Sequence, residues 1–274
     1  TERKKKALYR QDLAWIMRGA RARSTKQKAH IQRFEELRDR EKIEEVKNVE
    51  ITALASRLGK KTIELKDICK AFDEKILIKD FSYIFLKTDR IGIVGGNGAG
   101  KSTLLKIVTG IEQADSGSIE IGPTVKIGYF SQECEKMNGK QKVIDYIKEV
   151  AEYIETSEGS ASASQMLERF LFTGAMQYSL IEKLSGGERR RLYLLKILME
   201  APNVLILDEP TNDLDITTLT ILEDYLDSFQ GIVVAVSHDR YFLDRVVRRI
   251  FAFRPDGTLW QSEGGYTDYE TRVL

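Results

Sequence analysis

The chain has 274 residues, of which 42% are hydrophobic and 31% are charged. This balance is typical of a folded globular protein and argues against a collagen-like, fully disordered or membrane-spanning chain. No apolar run approaches the roughly 18 residues that a transmembrane helix needs. The two cysteines, Cys69 and Cys134, are too few for a four-ligand zinc site. With no secretory signal at the N-terminus, we expect a cytoplasmic protein with reduced thiols.

Charge divides the chain into two parts. Residues 1–30 carry 10 Lys or Arg and 2 Asp or Glu, a net charge of +8, whereas residues 61–274 carry a net charge of −7. Helix formers dominate residues 7–58 and proline is absent there, which predicts a long charged helix within residues 1–60. A basic arm on an acidic body suggests a polyanionic partner, although a solvated helix face explains the same pattern equally well.

After residue 61 the pattern changes to short apolar runs. These runs predict strands at residues 63–68, 76–85, 90–94, 204–207 and 232–236, the last two typical of buried parallel strands. A helix-rich stretch occupies about residues 141–199, and its Ser- and Gly-rich part at 157–164 predicts a surface loop. Strands separated by helical stretches predict an α/β domain with a parallel sheet.

One glycine-rich segment fits the Walker A pattern G-x-x-x-x-G-K-[ST]. Its residues are Gly95, Gly96, Asn97, Gly98, Ala99, Gly100, Lys101 and Ser102, and Thr103 completes the predicted nucleotide-binding set. Glycines let backbone N–H groups surround phosphate oxygens at the positive end of the helix that follows. Lys101 would reach the β- and γ-phosphates, and the Ser102 hydroxyl would bind Mg²⁺. The sequence therefore predicts a nucleotide site.

Two acidic residues, Asp208 and Glu209, end the predicted strand at 204–207. In a chain that also contains a Walker A segment, two acidic residues at the end of a strand indicate a nucleotide site. Asp208 would hold Mg²⁺, usually through water, as the Walker B acid. Glu209 would polarise the attacking water as a general base.

A third segment lies between these two motifs and consists of Leu184, Ser185, Gly186, Gly187 and Glu188. Ser185 and Glu188 have the spacing of a capping box, which predicts a helix over residues 188–199. The start of that helix also offers N–H groups and a positive dipole to a phosphate.

With these motifs in this order, residues 62–274 resemble the ATP-binding cassette (ABC) ATPases. The resemblance implies an α/β nucleotide-binding domain: a RecA-like P-loop core with an antiparallel β subdomain and a helical subdomain at about residues 135–199. It implies ATP and Mg²⁺ as cofactors. Residues 184–188 resemble the signature motif, which would complete the nucleotide site of a second, facing cassette.

The same resemblance assigns roles to four more residues. Phe72 is similar to the aromatic residue that stacks on adenine, and Gln132 to the Q-loop glutamine that senses Mg²⁺ and water. Asp215 is similar to the D-loop aspartate, and His238 to the switch histidine that contacts the γ-phosphate.

Finer details resemble the ABC-F family and its Uup-like branch. These details are Asn212 and Asp213 after the Walker B acids, residues 237–244, and residues 15–28, which resemble the second helix of the linker between two cassettes. The chain is then a second cassette with part of its linker, and the facing cassette is either the missing N-terminal half or another copy.

Membership of ABC-F implies an ATP-driven switch on the ribosome, with no membrane domain. The linker would reach toward tRNA, and the basic residues expected to contact nucleic acid are Arg18, Arg21, Arg23, Lys26 and Lys28.

Three other interpretations remain open. The first is the ATPase subunit of an ABC transporter, against which the charged N-terminal helix and Asn212 argue. The second is an ATPase of DNA repair, including a Uup-like ATPase that acts on branched DNA. The third is a non-enzymatic nucleic-acid module with a decayed site, which the intact Lys101, Glu209 and His238 make the weakest.

Overall fold

The computed structural model describes residues 58–133, 135–156 and 159–273, all of which belong to one compact unit. The predicted charged helix and the basic residues Arg18, Arg21, Arg23, Lys26 and Lys28 lie outside the described residues. The predicted domain boundary near residue 60 therefore stays a prediction. No helix in the described part of the chain is long and apolar enough to cross a membrane.

The predicted alternation of strands and helices is confirmed. In chain order the described strands are β1 (Ile63–Phe72), β2 (Lys75–Ile84), β3 (Arg90–Val94), β4 (Ser116–Ile121), β5 (Ile127–Phe130), β6 (Tyr153–Thr156), β7 (Gly159–Ser162), β8 (Val204–Asp208), β9 (Ile232–Val236), β10 (Arg249–Phe253) and β11 (Leu259–Glu263). The described helices are α1 (Lys101–Val108), α2 (Val143–Lys148), α3 (Ala163–Arg169), α4 (Gly174–Gln177), α5 (Gly186–Met199), α6 (Pro210–Asp213), α7 (Ile216–Ser228), α8 (Arg240–Val246) and α9 (Tyr266–Val273), with a 3₁₀ turn at Ile181–Lys183.

The central sheet has the strand order β11-β10-β3-β9-β8-β5, and only the edge pair β10–β11 is antiparallel. Every residue of β8 and β9 is buried, because alternate side chains enter two different cores. Leu205 and Leu207 join the core that contains residues of α5 and α7, whereas Val204 and Ile206 join the core that contains residues of α1 and β1. A parallel sheet covered on both faces is the α/β arrangement that the apolar runs predict.

The second sheet is antiparallel, with the order β2-β1-β4, and confirms the expected β subdomain. A polar cluster at Tyr83 joins it to the central sheet. The Tyr83 hydroxyl donates to Asp89 Oδ2 at 2.7 Å and accepts from the guanidinium of Arg249, and its ring lies edge-on to Phe251. Burial, and then the nearby Asp89 carboxylate, raise the pKa of Tyr83, so this phenol remains protonated and keeps donating.

The prediction of a loop over residues 157–164 is wrong in its described part. The segment Gly159–Ser162 forms β7, which pairs antiparallel with β6, and α3 begins directly after it. Ser162 caps α3 through a capping box with Gln165. The small polar residues carry little strand propensity of their own, and pairing with β6, which also buries Ala161, compensates for this.

Asn203 fixes the start of the strand that leads to the Walker B acids. Its side chain is fully buried, and its amide accepts from the backbone N–H of Lys126 at 2.8 Å and donates to the carbonyl of Thr124 at 2.7 Å. Its own carbonyl accepts from the N–H of Ile232 at 3.0 Å. One residue therefore aligns the beginnings of β5, β8 and β9.

We expect Asn203→Ala to lower the free energy of unfolding by about 1–3 kcal/mol, because it removes the side-chain partner of the Lys126 N–H and of the Thr124 carbonyl. Urea denaturation followed by circular dichroism measures the change. Asn138→Ala is the matched control, since Asn138 is exposed and caps only a local turn. Equal stability of the two variants would contradict this role for Asn203.

Candidate nucleotide site

The predicted catalytic residues lie at the carboxyl ends of neighbouring parallel strands. The Walker A loop follows β3, Asp208 ends β8, His238 follows β9 and Gln132 follows β5. Strand register brings these ends level, since Asp208 and Ile93 both pair with Val236. Loops at this edge of a parallel sheet are where α/β proteins bind ligands.

Three glycines of the Walker A loop have positive φ angles: Gly95 at 154°, Gly98 at 68° and Gly100 at 111°. Gly100 is also tightly enclosed, because a Cβ there would lie 3.1 Å from Leu77 Cβ. Lys101 begins α1, and its buried ammonium donates to the carbonyls of Gly95 at 2.9 Å and Gly96 at 3.0 Å. The loop thus has the cradle shape that a phosphate group would fill.

Asp208 is buried, and its Oδ1 has no hydrogen-bond partner. Its Oδ2 accepts from the Tyr129 hydroxyl at 3.4 Å, and the Ser102 hydroxyl lies near the carboxyl. Burial raises the pKa of Asp208, and the hydrogen bonds from Ser102 and Tyr129 partly oppose this effect. Mg²⁺ is usually bound by one or two protein oxygens together with substrate phosphates. The unpartnered Oδ1 of Asp208 and the nearby Ser102 hydroxyl fit this requirement.

Glu209 has a left-handed backbone, with φ 51° and ψ 52°, which costs a non-glycine residue about 1–2 kcal/mol. Its N–H donates to the carbonyl of Val236 at 2.9 Å, which holds the residue in this conformation. The turn directs the carboxylate to His238: Oε2 accepts from the His238 backbone N–H, and Oε1 lies 3.3 Å from Nε2. The Glu209 side chain is buried and that of His238 is 60% exposed, so the pair spans from the core to the surface.

Two predicted ligand contacts lie at the margin of this group. Phe72, at the end of β1, is half exposed, and the ammonium of Lys70 lies 5.1 Å from its ring centroid. Gln132 lies in a bend two residues after β5 with an exposed side chain. Both are accessible to a ligand, although no described contact joins them to Asp208 or Glu209.

The signature segment forms the predicted capping box at the start of α5. Ser185 accepts from the N–H of Glu188 at 3.3 Å, and Glu188 accepts from the N–H of Ser185 at 2.7 Å. That backbone bond, and then the Ser185 hydroxyl, lower the pKa of Glu188. A Cβ at Gly186 would meet nothing within 4 Å, so this glycine has no packing reason within the described residues. Leu184 is buried beneath the segment, while Ser185, Gly186 and Gly187 are exposed.

Asp215, the predicted D-loop residue, caps α7 by accepting from the N–H of Thr218 at 2.8 Å. Its other oxygen accepts from the guanidinium of Arg191 at 3.3 Å, and Arg191 is a buried residue of α5. The structure therefore connects the signature helix to the segment that follows the Walker B acids.

Sequence reasoning missed three residues that contact the predicted site. Tyr129 bonds to Asp208, Arg191 bonds to Asp215, and Lys75 donates to the carbonyl of Gly98 at 2.7 Å. Strand register would have suggested Tyr129, because β5 pairs with β8 and places Tyr129 opposite Ile206. Lys75 carries no comparable sequence signal.

Comparison with known proteins agrees with this geometry. A family model described as ABC transporter matches residues 78–212. The uncharacterized ABC transporter ATP-binding protein YfmR of Bacillus subtilis is 52% identical over 98% of the chain, and the energy-dependent translational throttle protein EttA of Escherichia coli K12 is 39% identical over 94%. The ATP-binding protein Uup of Escherichia coli K12 is 37% identical over 94%. The chain spans less than half the length of these relatives: 43%, 47% and 41%.

Solved structures agree on the fold. The ATP-binding subunit of an ABC transporter superposes with a TM-score of 0.63 at 18% identity, covering 77% of this chain and 93% of that one. The dimeric cassette MJ0796 bound to ADP and Pi superposes with a TM-score of 0.60 at 21% identity, covering 74% and 98%. By its fold, its motifs and these matches, the chain belongs to the family of ABC transporter ATP-binding domains.

Proposed function

We propose that this chain is the Mg-ATP-hydrolysing cassette of an ABC-F protein, a switch that acts on the ribosome. The proposal of ATP hydrolysis rests on the arrangement of side chains around Asp208. Asp208 is buried with its Oδ1 unpartnered, its carboxyl interacts with Ser102 of α1, and the next residue, Glu209, pairs with His238. Mg²⁺ would supply charge neutralisation of the phosphates there.

In this proposal the residues divide the work as follows. Lys101 exchanges its bonds to the Gly95 and Gly96 carbonyls for stronger, charge-assisted bonds to phosphate oxygens. Glu209 orients and deprotonates the attacking water, and His238, held by Glu209, donates toward the γ-phosphate. Ser102, Gln132 and Asp208 would supply the protein oxygen ligands of Mg²⁺.

Other residues would bind the adenine base and the remaining phosphate oxygens. Phe72 stacks on the base, because its ring is half exposed at the end of β1. Backbone N–H groups of the Walker A loop and of Thr103 bind phosphate oxygens. These contacts suit any purine nucleotide, and the choice of ATP rests on the similarity to ABC ATP-binding domains.

The exposed signature segment supports a second cassette as partner. Gly186 has open space around it, and glycine in a helix is less favourable than alanine. We therefore attribute the presence of glycine at position 186 to the close approach of an external group, namely the nucleotide held by a facing cassette. That cassette would be the N-terminal half of a longer protein, since the chain spans less than half of its relatives, or another copy of this chain.

Support for a ribosomal role comes from similarity and charge. EttA is named a translational throttle and is 39% identical over nearly the whole chain. The net charge of +8 on residues 1–30 suits the phosphates of RNA. Uup-like action on branched DNA and a membrane partner are the alternatives that the experiments below would reveal.

We expect the isolated chain to bind Mg-ATP with little hydrolysis at low concentration, because the signature segment of a facing cassette is missing from each site. Specific activity should rise with protein concentration as copies pair, which a phosphate-release assay over a dilution series measures. Robust activity per molecule that is constant upon dilution would contradict the need for a facing cassette.

Glu209→Gln should lower hydrolysis at least about 10²-fold while ATP binding remains, because the general base is lost and the phosphate contacts are kept. In the longer two-cassette protein, this change and its counterpart in the other cassette should trap an ATP-bound form that co-sediments with ribosomes in ATP but not in ADP. Glu200→Gln, at the exposed end of α5, is the matched control. Loss of sedimentation with retained ATP binding would redirect the proposal to DNA or a membrane partner.

Replacing the five predicted arm residues by alanine should weaken RNA binding and leave ATP affinity unchanged. The changed residues are Arg18, Arg21, Arg23, Lys26 and Lys28. The slope of log affinity against log salt should fall by up to about four, since each lost phosphate contact removes about 0.7–0.9. The control replaces five basic residues of the segment 31–60, whose seven basic and seven acidic residues give a net charge of zero: Arg33, Arg38, Arg40, Lys42 and Lys47. Weaker ATP binding with intact RNA binding would refute the assignment of the arm.

A further inference from the structure

The turn between β1 and β2 places two different side chains beside the phosphate loop. Phe72 ends β1 and Lys75 begins β2, and the two residues pair across the intervening turn residues Asp73 and Glu74. Asp73 has a φ of 51°, a conformation that closes this short hairpin tightly. Both Phe72 and Lys75 are exposed, so an aromatic face and an ammonium group are presented side by side.

Lys75 reaches from this hairpin to the outer end of the Walker A loop. Its Nζ donates to the carbonyl of Gly98 at 2.7 Å, and a Cβ at Gly98 would lie only 3.6 Å from that nitrogen. The acidic residues Asp73 and Glu74 directly precede the lysine in sequence, yet its ammonium bonds to the loop. Close packing of Gly100 against Leu77, two residues along β2, keeps the strand beside the loop.

The two lysines of this region occupy opposite parts of the loop. Lys101 is buried and donates to Gly95 and Gly96 near the end of β3, whereas Lys75 is exposed at Gly98. A nucleotide with its base on Phe72 and its terminal phosphates at Lys101 must extend its ribose and α-phosphate between them. Lys75 lies in that interval, paired with Phe72 on one side and bonded to the loop on the other.

We propose that Lys75 binds the α-phosphate of the bound nucleotide, so that Phe72 and Lys75 recognise the nucleoside monophosphate part as one hairpin unit. The inference rests on the proposed nucleotide site. A flexible lysine that now donates to a neutral carbonyl gains a stronger, charge-assisted bond when it donates to a phosphate oxygen. The contact is independent of the base, so it adds affinity for nucleoside phosphates in general and leaves selectivity to the stacking residue.

The test measures how the full 274-residue chain binds ADP, AMP and adenosine, each in competition with a fluorescent ADP analogue. Lys75→Ala should weaken both ADP and AMP about tenfold and leave adenosine unchanged, since adenosine has no phosphate. Lys75→Arg should restore most of the affinity. Lys79→Ala is the matched control, because Lys79 is another exposed lysine of β2, and it should bind like the unchanged chain.

Two results would overturn the inference. One is unchanged ADP affinity in Lys75→Ala. The other is weaker ADP binding with unchanged AMP binding, which would mean that Lys75 only orders the loop around the terminal phosphates. Lys101→Ala separates this failure from failure of the proposed function: it should abolish ADP binding, and if it does not, the proposed nucleotide site itself is wrong.

Discussion

Strand β8 is the element on which the candidate site depends, because it carries a charged residue to the end of an entirely buried strand. Its apolar residues enter the cores on both faces of the sheet, so its position is fixed from both sides. The same packing removes Asp208 from water and leaves one of its carboxylate oxygens without a partner. A buried carboxylate with an unpartnered oxygen is unfavourable, and a bound cation would relieve that cost. Burial of Asp208 thus lowers the stability of the fold and leaves a carboxylate oxygen that fits Mg²⁺.

The backbone of Glu209 is also unfavourable in free energy, and it determines the direction of the Glu209 side chain. A left-handed glutamate is unfavourable, yet the bond from its N–H to Val236 and the proline that begins α6 hold the turn. The consequence is that two consecutive acids point to different neighbours: Asp208 toward Ser102 and Tyr129, and Glu209 toward His238. A regular strand would place successive side chains on opposite faces, so in the proposed site the strained turn is what would let both acids face one ligand.

Much of this arrangement was predictable from sequence, for reasons that differ between elements. The runs at 204–207 and 232–236 are apolar throughout because both faces are buried, and the glycine spacing of the Walker A loop follows from backbone geometry alone. The capping box of Ser185 and Glu188 is equally local. By contrast, β7 depends on hydrogen bonds to β6, and the contacts of Tyr129 and Lys75 depend on register between distant strands. No local pattern encodes such partners.

Contacts within the unit also join the exposed residues 185–187 to the strands that carry the predicted site residues. Helix α5 begins at the exposed Gly186, and Arg191 on its buried face bonds to Asp215, the cap of α7. Two residues later, the Tyr193 hydroxyl donates to the carbonyl of Tyr129 at 3.3 Å, and Tyr129 in turn donates to Asp208. A helix transmits displacement along its length because its backbone hydrogen bonds make it stiff. A phosphate held at the start of α5 by a facing cassette would therefore have two contact routes toward the Walker B acids, one through Tyr193 and Tyr129 to Asp208 and one through Arg191 to Asp215. The contacts of this unit thus join the segment that would face a second cassette to the acids of its own predicted site.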